Sequence, residues 1–97
     1  MKNKEKALKR LEELLAEGKE IEKKIMDILP LTSDQNVPGP KLEMIDIIYR
    51  AWASAVVMMA ERFDMEEFNN MIIKNNVNID SIYSLPFILR IMEELRC

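Results

Sequence analysis

Residues 49–63 read YRAWASAVVMMAERF. Between Ala51 and Ala60 the only polar side chain is Ser54. Extended back to residue 41, the segment makes a helix over 41–62, and Pro40 suits its first turn because proline fixes a helical φ where no N–H partner is needed. On a wheel of 100° per residue, Glu43, Asp46, Arg50, Ser54 and Glu61 fall within about 80° of one another. Trp52 points the opposite way, flanked by Ile45, Ile48, Val56, Met59 and Phe63. Tyr49, Ala53 and Ala60 fill one flank, and Met44, Ala51 and Met58 fill the other. Water is expected to reach one narrow stripe, with this helix in the middle of the fold and other helices covering the rest. Three further helices from so short a chain leave little to spare, so a second chain is a candidate for part of that cover.

The residues on either side supply those helices. Residues 4–29 carry apolar or small side chains at Ala7, Leu11, Leu14, Gly18, Ile21, Ile25 and Ile28, three or four apart, widened by Leu8 and Leu15. That is the period of a helix packed on another helix. Gly18 sits inside the stripe at a helix-propensity cost of about 1 kcal/mol. Two readings explain it: close approach of a second backbone, or a local kink. Pro30 is expected to stop this helix or follow its end closely, and LTSDQNVPGP to form an exposed loop. After residue 62, Asp64 with Glu67 resembles a capping box opening a third helix, whose inner face is Met65, Phe68, Met71 and Ile72. Asn75, Asn76 and Asn78 mark its end. Asp80 or Ser84 can cap a last helix that tolerates Pro86 only in its first turn. Phe87 or Ile88, then Ile91, Met92 and Leu95, carry its apolar stripe. No strand pattern and no internal repeat is evident. The expected fold is all-α: one compact four-helix domain over 1–97, with a long first helix and a largely buried second helix.

Composition narrows the function. The chain has 97 residues, 48% of them hydrophobic and 32% charged, which suits a single globular domain able to bury a modest core. A net charge of −3 argues against nucleic acid as the main partner, because phosphate binding rests on excess Lys and Arg. The basic start (Lys2, Lys4, Lys6, Lys9, Arg10) lacks interleaved aromatics, and its simplest reading is a solvated helix beginning. Cys97 is the only cysteine, so no intrachain disulfide or thiolate zinc cluster can form, and a reducing cytoplasm is expected. No apolar run follows MKNKEKALKR, so no signal peptide is expected. AWASAVVMMA is about half the length a membrane span requires. There is no histidine, which removes His bases, His-activated nucleophiles and His metal ligands. The only glycines, Gly18 and Gly39, build no phosphate-binding loop.

Two constellations remain. Glu17 and Glu20, and Glu43 and Asp46, are pairs spaced to share a helix face, and four carboxylates from two helices can hold Mg²⁺ and thereby a phosphate-bearing substrate. On the wheel, Glu17 lies at the flank of the first helix's apolar stripe and Glu20 points away from it. This EXXE…EXXD spacing, followed by AERFDMEEFNNMIIKNN, resembles the MazG-like all-α nucleoside triphosphate pyrophosphatases. The resemblance implies Glu17, Glu20, Glu43 and Asp46 as metal ligands and hydrolysis of a nucleotide to monophosphate and pyrophosphate.

The second constellation runs RLEELLAEGKEI, YRAWASAVVMMAERF, EEF and LPFILRIMEEL, across most of residues 8–96. It resembles a helical module at the amino end of bacterial proteins implicated in anti-phage defence. That resemblance implies sensing, docking or self-association, without catalytic residues or a cofactor. Trp and Met are enriched at interface centres. Tyr49, Trp52, Met58 and Met59 are therefore the candidate partner-binding residues, against the plainer alternative that they are ordinary core. The expected function is a non-catalytic interaction or oligomerisation module, with a homodimer as its expected form. Metal-dependent pyrophosphatase activity is the alternative.

Overall fold

The computed structural model describes residues 3–32 and 39–96, with the side chains of residues 3–27 and 43–96. Among the described residues the chain is all-α, with four helices and no strand. They are α1 (Lys4–Thr32), α2 (Gly39–Arg62), α3 (Glu66–Lys74) and α4 (Leu85–Arg96), the last preceded by a 3₁₀ turn at Ile82–Ser84. At 29 residues α1 spans about 44 Å at 1.5 Å per residue, and it sets the longest dimension of the molecule, 45 Å against 24 and 20 Å.

The apolar periodicity of α1 becomes its buried face: Ala7, Leu11, Leu14, Leu15, Gly18 and Ile21 are buried, with Leu8 and Ile25 partly so. α1 lies along both α2 and α4, while α3 rests on α4 and on part of α2. The middle position expected for the second helix is therefore held by α1. α2 has a largely buried inner face, built from Ile45, Tyr49, Trp52, Ala53, Val56, Met59 and Ala60. From α4 come Leu85, Ile88, Leu89, Ile91 and Met92, and Ile88 rather than the exposed Phe87 opens that stripe. Pro86 sits in the first turn of α4 and Pro40 in that of α2, where a missing N–H leaves no helical bond unmade.

Three helix ends also differ from expectation. α1 runs through Pro30 to Thr32. Proline's φ is itself helical, and only Leu31 and Thr32 follow Pro30 in α1, so the disturbance from its missing N–H and its ring falls on the last turns of the helix. Leu31 and Thr32 thus belong to α1, Gly39 and Pro40 to α2, and the loop expected between them falls at residues 33–38, outside the described residues.

Asp64 does not cap α3. It takes a left-handed φ of 49° and ends α2. Met65 N–H donates to Ala60 O at 2.9 Å and Asp64 N–H to Glu61 O at 3.4 Å, the bond pair of a Schellman motif. Met65 then precedes α3 without a side-chain cap bond. α3 closes in the same way: Asn76 is left-handed at φ 56°, with Val77 N–H donating to Ile72 O and Asn76 N–H to Ile73 O.

The cap before α4 is provided by neither Asp80 nor Ser84. Ser81 Oγ accepts from Tyr83 N–H and caps the 3₁₀ turn, while the Ser84 hydroxyl donates to Asn78 O at 2.6 Å.

Candidate functional site

Three of the four candidate partner-binding residues are core. Tyr49, Trp52 and Met59 are buried, and only Met58 is exposed. The Trp52 indole lies against one turn of α1. Its Nε1–H donates to Leu14 O at 2.7 Å, and a Cβ built on Gly18 would stand 2.6 Å from Trp52 Cζ2 and 2.6 Å from Leu89 Cδ2. Gly18 therefore accommodates side chains, an indole ring and a leucine methyl, and neither a kink nor a neighbouring backbone is needed to explain it. In the α-helical pattern, the Leu14 carbonyl also accepts from the N–H four residues on, that of Gly18. Absence of a side chain at Gly18 leaves its second lone pair open to the indole.

Tyr49 tilts against Trp52, with ring centroids 6.0 Å apart, and its hydroxyl donates to Ile79 O at 2.6 Å. Burial, with Asp80 and Asp46 nearby, pushes the phenol from 10.0 up to about 12. These bonds tie α2 to α1 on one side and to the segment before α4 on the other.

The accessible part of α2 is a different face. Met44, Ile47, Ile48 and Met58 are 65%, 69%, 38% and 66% exposed, and Ala51 is exposed with them. The flank expected to be covered at Met44, Ala51 and Met58, together with Ile48, is thus open. α1 and α4 occupy the Trp52 side, and the nine-residue α3 turns onto α4 instead of crossing this face. Positions 44, 48, 51, 55 and 58 alternate four and three apart, so they form one continuous seam along the helix, with Ile47 beside it. Ile47 is not among the candidate residues, because it lies well away from Trp52 on the helix. The signal that finds this surface is the second run of heptad-like spacing, rotated away from the tryptophan.

A groove follows the seam between α1 and α2. One hollow of about 400 Å³ is lined by Ile48, Ala51, Trp52 and Ala55 of α2 and by Glu17, Glu20, Ile21 and Lys24 of α1. A second, of about 310 Å³, continues it from Ala55 past Met58, Met59, Arg62 and Phe63 to Arg10. The floor is apolar and the α1 rim is charged with both signs.

The four candidate metal ligands are not assembled. Glu17 and Glu20 stand exposed on the α1 rim, Glu43 is exposed near the start of α2, and Asp46 accepts from Arg50 Nε at 3.0 Å. Among the described residues, no three His, Cys, Asp or Glu side chains gather where they could hold a metal ion. The arrangement does not fit the Mg²⁺ that the pyrophosphatase resemblance implies, and no catalytic step follows from it. Among the described residues no helix is long and apolar enough to cross a membrane.

No protein-family model, no curated protein and no solved structure matches this chain.

Proposed function

We propose that the chain is a non-catalytic protein-interaction module that docks through the seam Met44–Ile48–Ala51–Met58 of α2 and the groove beside it. The observation that carries this reading is the run of large apolar side chains, three of them about two-thirds exposed, along one face of a helix whose other face is well packed. A groove with an apolar floor and a charged rim suits an amphipathic helix, which lays its apolar stripe inward and its charges at the edges. The likeness of residues 8–96 to the helical module of anti-phage defence proteins supports the same role, and association with phage defence is part of the proposal. A lone cysteine favours the reducing cytoplasm, and a net charge of −3 favours protein over nucleic acid as partner.

Co-purification from the native host tests the proposal, comparing the wild type with Met44→Glu/Met58→Glu. Both positions are exposed, so the fold is expected to persist. Loss of bound protein in the double variant is the expected result, and identical co-purifying material would refute the docking face. In parallel, pyrophosphate release from nucleotides with Mg²⁺ is expected to be absent. Release that vanishes in Glu43→Gln would establish the catalytic alternative instead.

A further inference from the structure

Resting on that docking face, we infer that its occupant is a second copy of this chain, with α2 packed antiparallel against α2 about a two-fold axis at Ala51. Isologous contact requires a surface complementary to itself, in which residue i meets j and j meets i. The seam meets this requirement when read in opposite directions from Ala51. Met44 and Met58 are each seven residues away, so each meets the other across the axis. Ile48 and Ala55, three and four residues either side of Ala51, lie on the same edge of the seam, so across the axis a large side chain packs beside a small one, twice, while Ile47 faces Ser54 along the other edge. At the axis Ala51 meets Ala51, and small side chains there let the helices approach at the short end of the 8–10 Å range.

Surface area agrees with a weak dimer. Met44, Ile47 and Met58 are each about two-thirds exposed, with Ile48 and Ala51 adding to them. At roughly 100 Å² for a fully buried Met or Ile side chain, the seam offers about 300 Å² per chain and about 600 Å² for two. The smallest stable interfaces bury about 1,200 Å² in total, of which about 65% is apolar in homodimers, or about 800 Å². The seam supplies about three-quarters of that, which falls short of a permanent dimer and suits a weak one. A pair this small is expected to form only at high protein concentration.

Mass and cross-linking test this. Sedimentation equilibrium of the wild type is expected to rise from 11.4 kDa towards twice that mass as concentration reaches hundreds of micromolar. Ala51→Glu and Ala51→Lys, each placing like charges on the axis, are expected to remain monomeric alone and to pair when mixed. In a Cys97→Ser background, Ala51→Cys is expected to form a disulfide-linked dimer on mild oxidation. Met44→Cys alone is not, because its two copies lie about 21 Å apart along the helices, but mixed with Met58→Cys it links. A wild type that stays monomeric overturns the inference, as does efficient linking of Met44→Cys to itself, which marks a parallel pair. A monomer whose co-purification is still lost in Met44→Glu/Met58→Glu removes the second copy and keeps the docking face. A monomer with unchanged co-purification removes both.

Discussion

Replacing Gly18 by alanine places a methyl group 2.6 Å from Trp52 Cζ2, 2.6 Å from Leu89 Cδ2 and 3.0 Å from Trp52 Cε2. Two effects oppose each other. Alanine is the better helix former by about 1 kcal/mol in a helix interior. Against that, overpacking a filled core costs about 1–3 kcal/mol. Leu89 can swing a methyl aside, but the indole is rigid and bonded to Leu14 O at 2.7 Å, so moving it also strains or breaks a buried hydrogen bond. A buried donor left unpaired costs about 1–3 kcal/mol. The clash therefore wins, and Gly18→Ala is expected to destabilise by about 2–4 kcal/mol, a large part of the roughly 5–15 kcal/mol available to a domain of this size. The melting temperature should fall by about 10–20 °C. Trp52 is the only tryptophan, so its fluorescence reports the same event, and the emission maximum should move to longer wavelength as the ring leaves its site. The decisive measurement is the double-mutant cycle with Trp52→Phe. Phenylalanine lacks the benzo edge that the new methyl meets and has no N–H to leave unpaired, so Gly18→Ala should cost much less in that background. If Gly18→Ala raises the melting temperature of the wild type, or if its cost is equal in both backgrounds, the indole is not what requires a glycine here.

Two further outcomes follow from the backbone turns and the buried phenol. Asp64→Gly relieves a left-handed φ of 49° on an exposed residue and should stabilise the protein by about 0.5–1 kcal/mol in urea unfolding; Asp64→Ala should destabilise it, and an alanine variant as stable as the glycine one would contradict the assignment. Tyr49 keeps its proton to about pH 12 when folded, while the unfolded phenol ionises near 10. The unfolded chain therefore gains by ionising first. The contribution of Tyr49 is complete below pH 10 and falls by about 2–3 kcal/mol as pH rises to 12. The difference in urea midpoint between wild type and Tyr49→Phe should shrink over that interval, and a constant difference would show that Tyr49 is not the group responsible.

Much of the fold was legible because its signals are local. The α1 stripe from Ala7 to Ile25, the α4 stripe from Ile88 to Leu95, the first-turn positions of Pro40 and Pro86, and the asparagines closing α3 all express the helical period or a backbone preference. Asp64 was misread because aspartate suits both a helix start and a left-handed helix end. Only the hydrogen bonds of Met65 and Asp64 back onto α2 decide between them. The site was half legible. Met58, Trp52 and Tyr49 were all candidates by residue type, yet residue type does not say which side of a helix its neighbours occupy, and only Met58 is exposed.

By itself the sequence determined that the chain is helical, roughly where its four helices lie, and that α2 carries more apolar surface than so small a domain can readily cover. The tertiary structure decided which part of that surface is left open. The reason is geometric: Gly18 admits the indole to α1, that contact and Leu89 fix α1 and α4 on the Trp52 side, and the short α3 turns onto α4. The seam from Met44 to Met58 stays exposed because, among the described residues, no further helix reaches it.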